Sequence, residues 1–192
     1  SKVGAAGPRF ATQEVDVEDA NGTMTVNVTG VQTFCNTVDI DFTGVIDGTG
    51  HLVCYKAKPI PGTPRFVRRH VSVVTEVGLT KAELLRPARL CVPAGLDGGP
   101  ISSGLGSYLC YRARRAKGSV ELRNQSIHLA DDFEAKSHVS GDARQICLHA
   151  SVDAVSSGAP QNHLVCRGIK DRSGVPPFTR RTFDADDAFG TR

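Results

Sequence analysis

The six cysteines of this 192-residue chain recur at a fixed alternation of spacings. The gaps between them run 19, 37, 19, 37 and 19 residues, so every second cysteine is separated by 56 residues. An internal period of this length indicates one structural unit copied along the chain. Such cysteines belong to a repeated framework and not to a single site, which argues against most enzymes. They are Cys35, Cys54, Cys91, Cys110, Cys147 and Cys166.

The sequence around the cysteines follows the same period. Residues 51–58 are HLVCYKAK, residues 107–114 are SYLCYRAR, and residues 163–170 are HLVCRGIK. The chain is therefore predicted to consist of tandem repeats of about 56 residues. The predicted units are an amino-terminal partial repeat over residues 1–50, repeats over 51–106 and 107–162, and a carboxy-terminal partial repeat over 163–192.

Each unit is predicted to be built from short β-strands. Residues 15–18 and 24–28 alternate apolar and polar side chains, and Asn21-Gly22 between them is typical of a hairpin with a type I′ turn. Only residues 81–85 have a helical composition, over about one turn, and Pro87 would end that turn. The sequence therefore predicts an all-β fold of small sandwich-like or barrel-like units joined by disulfides.

Composition and charge limit the compartment and the partners. The net charge of +3 is small and both signs are interspersed, so no basic face for nucleic acid is indicated. No apolar run approaches the roughly 18 residues that a membrane span requires. An even number of cysteines without a CxxC pair favours disulfides and an oxidising compartment. We expect a secreted, extracellular protein whose first residues resemble a mature amino terminus.

The chain offers few residues for chemistry. It contains no nucleophile-elbow, zinc-protease or phosphate-binding motif, so no catalytic residue, cofactor or enzyme activity is predicted. Cys147 and His149 could supply two metal ligands, but no second pair at zinc spacing exists, and no metal site is predicted. Three aspartates share one position in the period and are interpreted as turn residues, with calcium binding as the less favoured alternative. They are Asp41, Asp97 and Asp153.

Repetition leaves two disulfide pairings open. Pairing across 19 residues joins 35–54, 91–110 and 147–166, and leaves no cysteine over. Pairing across 37 residues joins 54–91 and 110–147, and leaves Cys35 and Cys166 without local partners. Each bridge would contribute about 3–4 kcal/mol through loop-closure entropy.

The alternation of L-x-C-Y-K, G-x-P-x-F and L-C-x-P motifs resembles secreted bacterial tandem-repeat proteins of unknown function. The motifs appear here as Leu52 to Lys56, Gly62 to Phe66 and Leu90 to Pro93, although the proline of L-C-x-P is present only at Pro93. The resemblance implies that a full unit begins at L-x-C-Y and ends at L-C-x-P, and it therefore favours the 37-residue pairing. It implies a fold and a compartment, but no chemistry.

With that pairing, both ends of the chain carry half a unit. Cys35 and Cys166 would then join subunits head to tail, or meet each other in one molecule as a pseudo-threefold ring. The first possibility leads to a self-assembling filament or surface layer in which strands of one subunit complete the next. The residues predicted for these edge strands are Phe10, Val15, Val17, Phe178, Phe183 and Ala185.

Carbohydrate binding or adhesion is the alternative function, because threefold β repeats can carry sugar sites. The chain has no tryptophan and only three tyrosines, which weakens this alternative. Two double arginines, 68–69 and 180–181, could form a stripe that binds polyanions. We interpret them instead as charges on a solvated strand face, where they discourage unwanted edge pairing.

Overall fold

The computed structural model describes residues 10–45, 48–75, 78–119, 123–155 and 163–191. Within these ranges the chain forms twelve β-strands and no helix, which confirms the all-β prediction. The strands are β1 Gln13–Asp19, β2 Gly22–Cys35, β3 Asp39–Ile40, β4 His51–Pro59, β5 Arg69–Thr75, β6 Gly78–Leu96, β7 Ser107–Arg115, β8 Ser126–Ala130, β9 Ala135–Val152, β10 Leu164–Asp171, β11 Ala185–Asp187 and β12 Gly190–Thr191.

Antiparallel pairing links the long strands into a closed cycle. The pairs β1–β2, β2–β4, β4–β6, β6–β7 and β7–β9 follow one another, and β9 then pairs with β1. The closing contact is short and joins residues 17–19 of β1 to residues 150–152 of β9. Of the six other strands, β5 and β11 pair with β6, and β8 and β10 pair with β9. The two shortest strands extend these, since β3 pairs with β8 and β12 pairs with β11.

The central strands separate two sets of buried side chains. Successive residues of a strand point to opposite faces, so Val53 and Tyr55 enter one core while Cys54 enters the other. The larger core is aliphatic and aromatic, and includes Leu90, Leu109 and Ile146. The smaller core is formed mainly by cysteines. The apolar runs around the cysteines are therefore buried on both faces.

The helical turn expected over residues 81–85 is wrong. These residues lie inside β6, where Ala82 pairs with β5 on one side and with β7 on the other. Pairing on both sides overrides the helix propensity of a short segment. Pro87 is tolerated in this strand because register shifts flank it on the β7 side, between Leu84 and Arg86 and between Pro87 and Arg89.

The predicted hairpin at Asn21-Gly22 exists, but its turn is not of type I′. Asp19 pairs with Gly22, so Ala20 and Asn21 form the connection. Of Asn21 and Gly22, only Gly22 has a positive φ, of 115°. The Asp19 carboxylate accepts a hydrogen bond from the Asn21 amide at 2.7 Å, which stabilises the turn without positive φ at Asn21.

Candidate functional site: a row of sulfurs and three aspartate clasps

The six cysteines lie side by side across the sheet. β4 and β6 place Cys54 directly opposite Cys91, and β7 and β9 place Cys110 directly opposite Cys147. These two pairs form disulfides, each across 37 residues. This is the pairing that the family resemblance favours. Cys35 and Cys166 carry free thiols.

Sulfurs that are not bonded to each other also lie close together. The Sγ atoms of Cys35 and Cys54 are 3.7 Å apart, and those of Cys91 and Cys110 are 3.6 Å apart. At the other end of the row, the Sγ atoms of Cys147 and Cys166 are 3.7 Å apart. The six sulfurs therefore form one continuous row, which we call the sulfur row, in the order 35, 54, 91, 110, 147, 166.

The two thiols at the ends of the sulfur row differ from the four bonded cysteines in their exposure. The disulfide cysteines are at most 3 % exposed, whereas Cys35 and Cys166 are half-buried. Burial raises the pKa of Cys35, and it raises the pKa of Cys166 to about 11. The charge of Cys35 contributes to the raised pKa of Cys166, and the Arg89 guanidinium lowers the pKa of both thiols. The protonated thiol is therefore favoured at both ends.

Each free thiol lies on a strand edge without a neighbouring strand. One side of β6 pairs first with its hairpin partner β5 and then with β4, which carries Cys54. In the same way, one side of β9 pairs first with its hairpin partner β8 and then with β7, which carries Cys110. Along β2, the pairing with the hairpin partner β1 ends where Gln13 lies opposite Val28, and no described strand follows on that side toward Cys35. Likewise, β10 pairs with β9 on one side, and its other side has no partner among the described residues.

An ion-pair cluster fixes the far end of β10. Lys136 of β9 is 8 % exposed, and its ammonium lies 2.9 Å from a Glu134 carboxylate oxygen and 3.0 Å from an Asp171 carboxylate oxygen. These hydrogen bonds raise the pKa of Lys136, with Glu134 as the larger cause. The end of β10 at Asp171 is therefore joined to Lys136 of β9 by an ion pair as well as by main-chain pairing.

The three aspartates that share a position in the period lie in turns, and each makes two hydrogen bonds to the main chain of a residue in or next to another strand. We call each such arrangement a clasp. Asp41, Asp97 and Asp153 have positive φ angles of 51°, 48° and 49°, a conformation that aspartate tolerates. In the Asp97 clasp, the carboxylate accepts a hydrogen bond from the Asp184 amide at 2.9 Å. The Asp97 amide donates to the Asp184 carbonyl at 2.8 Å. Both main-chain groups of the incoming residue are thereby satisfied.

The other two clasps have the same pair of hydrogen bonds. Asp41 accepts from the His128 amide at 2.7 Å, and Asp153 accepts from the Asp16 amide at 2.9 Å. The Asp41 and Asp97 clasps hold residues that follow 87 positions later in the sequence. The Asp153 clasp instead holds a residue 137 positions earlier, in β1. The amino-terminal strand therefore occupies a place that a later strand fills in the other two clasps.

The residues predicted for assembly edges lie in different environments. Val15 and Val17 are buried core residues of β1, and Val17 pairs with both Met24 and Val152. Ala185 is buried and pairs with Leu96 of β6. The aromatic members Phe10 and Phe183 pack against the main core, whereas Phe178 is 40 % exposed.

A basic groove is lined by residues of β4, β6 and β7 together with residues from the segment 63–68. It encloses about 780 Å³, and its described lining contains no carboxylate. Arg68 at its border lies 3.8 Å from Glu83, which also binds Arg114. The groove has the charge to attract anions. Its cationic lining residues are Lys56, Lys58, Arg65, Arg68, Arg86, Arg89 and Arg112.

Several residues that the sequence offered for less favoured binding sites make structural contacts instead. All three tyrosines are buried, so none of them presents an aromatic face to a sugar. Arg181 lies 5.8 Å from the ring centroid of Phe133 and donates to the Phe133 carbonyl at 3.0 Å, which gives it a packing role. Cys147 is in a disulfide, so its sulfur is not free to bind a metal beside His149. Within the described parts of the chain, no three metal-binding side chains converge.

Two hydrogen bonds between buried tyrosines and half-buried aspartates were not anticipated from the sequence. The Tyr111 hydroxyl donates to an Asp19 carboxylate oxygen at 2.7 Å, and the Tyr55 hydroxyl donates to Asp187 at 2.5 Å. Burial raises the pKa of Asp19, although the bond from Tyr111 opposes this. The pairs join distant strands. The sequence contained a pattern from which these pairs could have been predicted. Both tyrosines directly follow a cysteine, and both aspartates share one position in the period.

No helix that could cross a membrane occurs in the described part of the chain. Comparisons with known protein families, with characterised proteins and with solved structures found no significant match.

Proposed function

We propose that this protein is a secreted structural protein that assembles head to tail into an extracellular filament or surface layer. The observation that carries the proposal is the pair of half-buried free thiols, each on a strand edge that lacks a neighbouring strand. Edges of this kind offer unpaired main-chain groups to another chain. The two disulfides are compatible with the oxidising compartment that the proposal requires.

The strand register at the two disulfides provides a register in which the two free edges would pair with each other. β4 lies on β6 with Cys54 opposite Cys91, and β7 lies on β9 with Cys110 opposite Cys147. If β10 of one subunit paired in this way with β2 of the next, Cys166 would lie opposite Cys35. The contact would add main-chain hydrogen bonds and a third disulfide of the same type. Because it joins two different surfaces, the contact can propagate into a filament.

The amino-terminal strand provides a second possible contact between subunits. β1 is joined to β9 by only three residue pairs and the Asp153 clasp. A β1 strand from a neighbouring copy could occupy the same place without changing any of these contacts. Such an exchange would strengthen a head-to-tail contact. It would cost little free energy in subunits that are already held together, because the same contacts form between chains as within one chain.

Two variants, each of which lacks one of the two free cysteines, test the proposal. Under oxidising conditions, we expect the wild-type protein to give a ladder of multiples of 20.4 kDa on a non-reducing gel, and a single band after reduction. Cys35→Ser and Cys166→Ser should each fail to form the ladder. Mixed together, they should form one covalent heterodimer that does not grow, because only one junction can close.

The variant that lacks both free cysteines is the control. Cys35→Ser/Cys166→Ser should run as a single band of 20.4 kDa on the non-reducing gel, because it can form no covalent junction. A wild-type monomer with a Cys35–Cys166 bond inside one chain would contradict assembly and establish the closed-ring alternative. A wild-type monomer that keeps both thiols free during oxidation would also contradict the proposal.

The basic groove favours one form of the alternative function, in which the protein binds an acidic carbohydrate. Seven cationic side chains line the groove, while the tyrosines are unavailable for stacking on a neutral sugar. A sulfated polysaccharide should bind more weakly as the salt concentration rises, and binding should weaken in Arg86→Gln and Arg112→Gln. Arg172→Gln, a change at an exposed arginine outside the groove, is the matched control. Equal binding by all four proteins would exclude the groove.

A further inference from the structure

We propose that the sulfur row is a disulfide-exchange relay, in which a free thiol moves from one end of the row toward the other by successive exchange steps. The complete relay replaces the two disulfides across 37 residues with two disulfides across 19 residues within one folded molecule, and two thiols remain free. It does not depend on the proposed assembly, since every reacting atom belongs to a single chain.

The geometry of the row provides both pairings. In the observed pairing, disulfides join Cys54 to Cys91 and Cys110 to Cys147. The non-bonded neighbours, 3.6 to 3.7 Å apart, are the pairs separated by 19 residues. Each disulfide therefore has a non-bonded sulfur beside each of its two ends. A thiolate at either end of the row can attack the adjacent disulfide without rearrangement of the strands.

Each step is an ordinary thiol–disulfide exchange. The Cys35 thiolate attacks Sγ of Cys54, the Cys35–Cys54 bond forms, and the Cys54–Cys91 bond breaks. The released Cys91 thiolate attacks Sγ of Cys110, and the Cys110–Cys147 bond breaks. The proton lost from Cys35 is balanced by the proton that Cys147 takes up. Two disulfides and two thiols are present before and after, so no oxidant or reductant is needed.

The direction of attack determines which cysteines become free. A thiolate entering from Cys35 bonds to Cys54 and releases Cys91, and then bonds to Cys110 and releases Cys147. Cys54 and Cys110 are never released in this direction. A thiolate entering from Cys166 releases Cys110 and then Cys54, and never releases Cys91 or Cys147.

The environment of the row makes the exchange dependent on pH. Burial of Cys35 and Cys166 disfavours the attacking thiolate at neutral pH, whereas the Arg89 guanidinium favours it. The thiolate fraction rises about tenfold per pH unit below the pKa of the thiol. We therefore expect the relay to be slow near neutrality and to accelerate by about that factor for each unit between pH 7 and pH 9.

A variant with one free thiol tests the relay. Cys166→Ser is incubated without oxygen at pH 7, 8 and 9, then quenched in acid, unfolded, and alkylated with iodoacetamide at controlled pH. Peptide mass spectrometry then locates the label. The relay predicts label at Cys35, Cys91 and Cys147 only, with a faster approach to equilibrium at higher pH.

The mirror variant is the matched control. Cys35→Ser should give label at Cys166, Cys110 and Cys54 only, and Cys35→Ser/Cys166→Ser should give none. Label that stays at Cys35 in the first variant and at Cys166 in the mirror variant would overturn the proposal. Label at Cys54 or Cys110 in Cys166→Ser would also overturn it, because that pattern requires scrambling outside the row.

Discussion

The Asp153 clasp permits a quantitative test of how β1 is held. Asp153→Ala removes the carboxylate that accepts from the Asp16 amide at 2.9 Å, a loss of about 1 kcal/mol for an exposed hydrogen bond. It also places alanine at a φ of 49°, where the left-handed conformation costs a further 1 kcal/mol or so. The expected loss in the free energy of unfolding is therefore about 2 kcal/mol.

Asparagine separates the contribution of the clasp geometry from that of the charge. Asp153→Asn keeps an oxygen acceptor and tolerates positive φ, so its free energy of unfolding should fall by less than about 0.5 kcal/mol. Urea unfolding with linear extrapolation measures both variants. The reasoning is refuted if Asp153→Asn is as unstable as Asp153→Ala, or if Asp153→Ala is within about 0.5 kcal/mol of wild type.

The Asp97 clasp is the matched control for location. Asp97 has a φ of 48° and accepts from the Asp184 amide at the same 2.9 Å, but it holds the segment that leads into β11 and not β1. Asp97→Ala should lose similar stability. Native-state hydrogen exchange should show faster exchange of the Asp16 amide in Asp153→Ala and unchanged exchange there in Asp97→Ala.

Three further outcomes follow from the packing. Cys54→Ser/Cys91→Ser opens a 37-residue loop and should lower the free energy of unfolding by about 4 kcal/mol, measured by urea unfolding; a loss below about 1 kcal/mol would contradict the loop-entropy argument. Gly95→Ala would place a Cβ 2.2 Å from the main-chain oxygen of Gly99 across the following turn. The free energy of unfolding should therefore fall by about 1–3 kcal/mol, which a lower melting temperature would show. Tyr111→Phe removes a hydrogen bond that lowers the pKa of Asp19, so an NMR titration should find that pKa raised further in the variant, and a fall would contradict the assignment. Because the folded-state pKa of Asp19 is already above 3.8, its ionisation opposes folding, and the stability gained as the pH falls toward 3.8 should be larger in Tyr111→Phe.

Local sequence patterns predicted those strands in which apolar and polar residues alternate, because the alternation alone determines which face is buried. The β1–β2 hairpin follows from alternation around Asn21-Gly22. The opposite positions of Cys54 and Cys91 were one of two pairings that the period allowed, and only strand register selects between them. The helical composition of residues 81–85 misled because partners on both sides decide the conformation of β6.

The clasps were beyond sequence prediction for a physical reason. The shared position of Asp41, Asp97 and Asp153 indicated turns, and the structure places all three in turns. Nothing local identifies their partners, because those residues lie 87 to 137 positions away and are chosen by the strand topology. The basic groove was missed similarly, since its cations come from strands and loops that are separated in the sequence.

The closed cycle of strands also determines the order in which the molecule can be completed. β1 is synthesised before β9, and its pairing residues in β9 emerge more than 130 residues later. Until then β1 has only its hairpin with β2, and closing so long a loop is slow compared with forming local hairpins. During this interval the β9 acceptor of one nascent chain can meet the β1 of another. If subunits exchange β1 as proposed above, the ratio of closed monomers to strand-exchanged chains should depend on protein concentration during folding, and not only on the stability of the finished contacts.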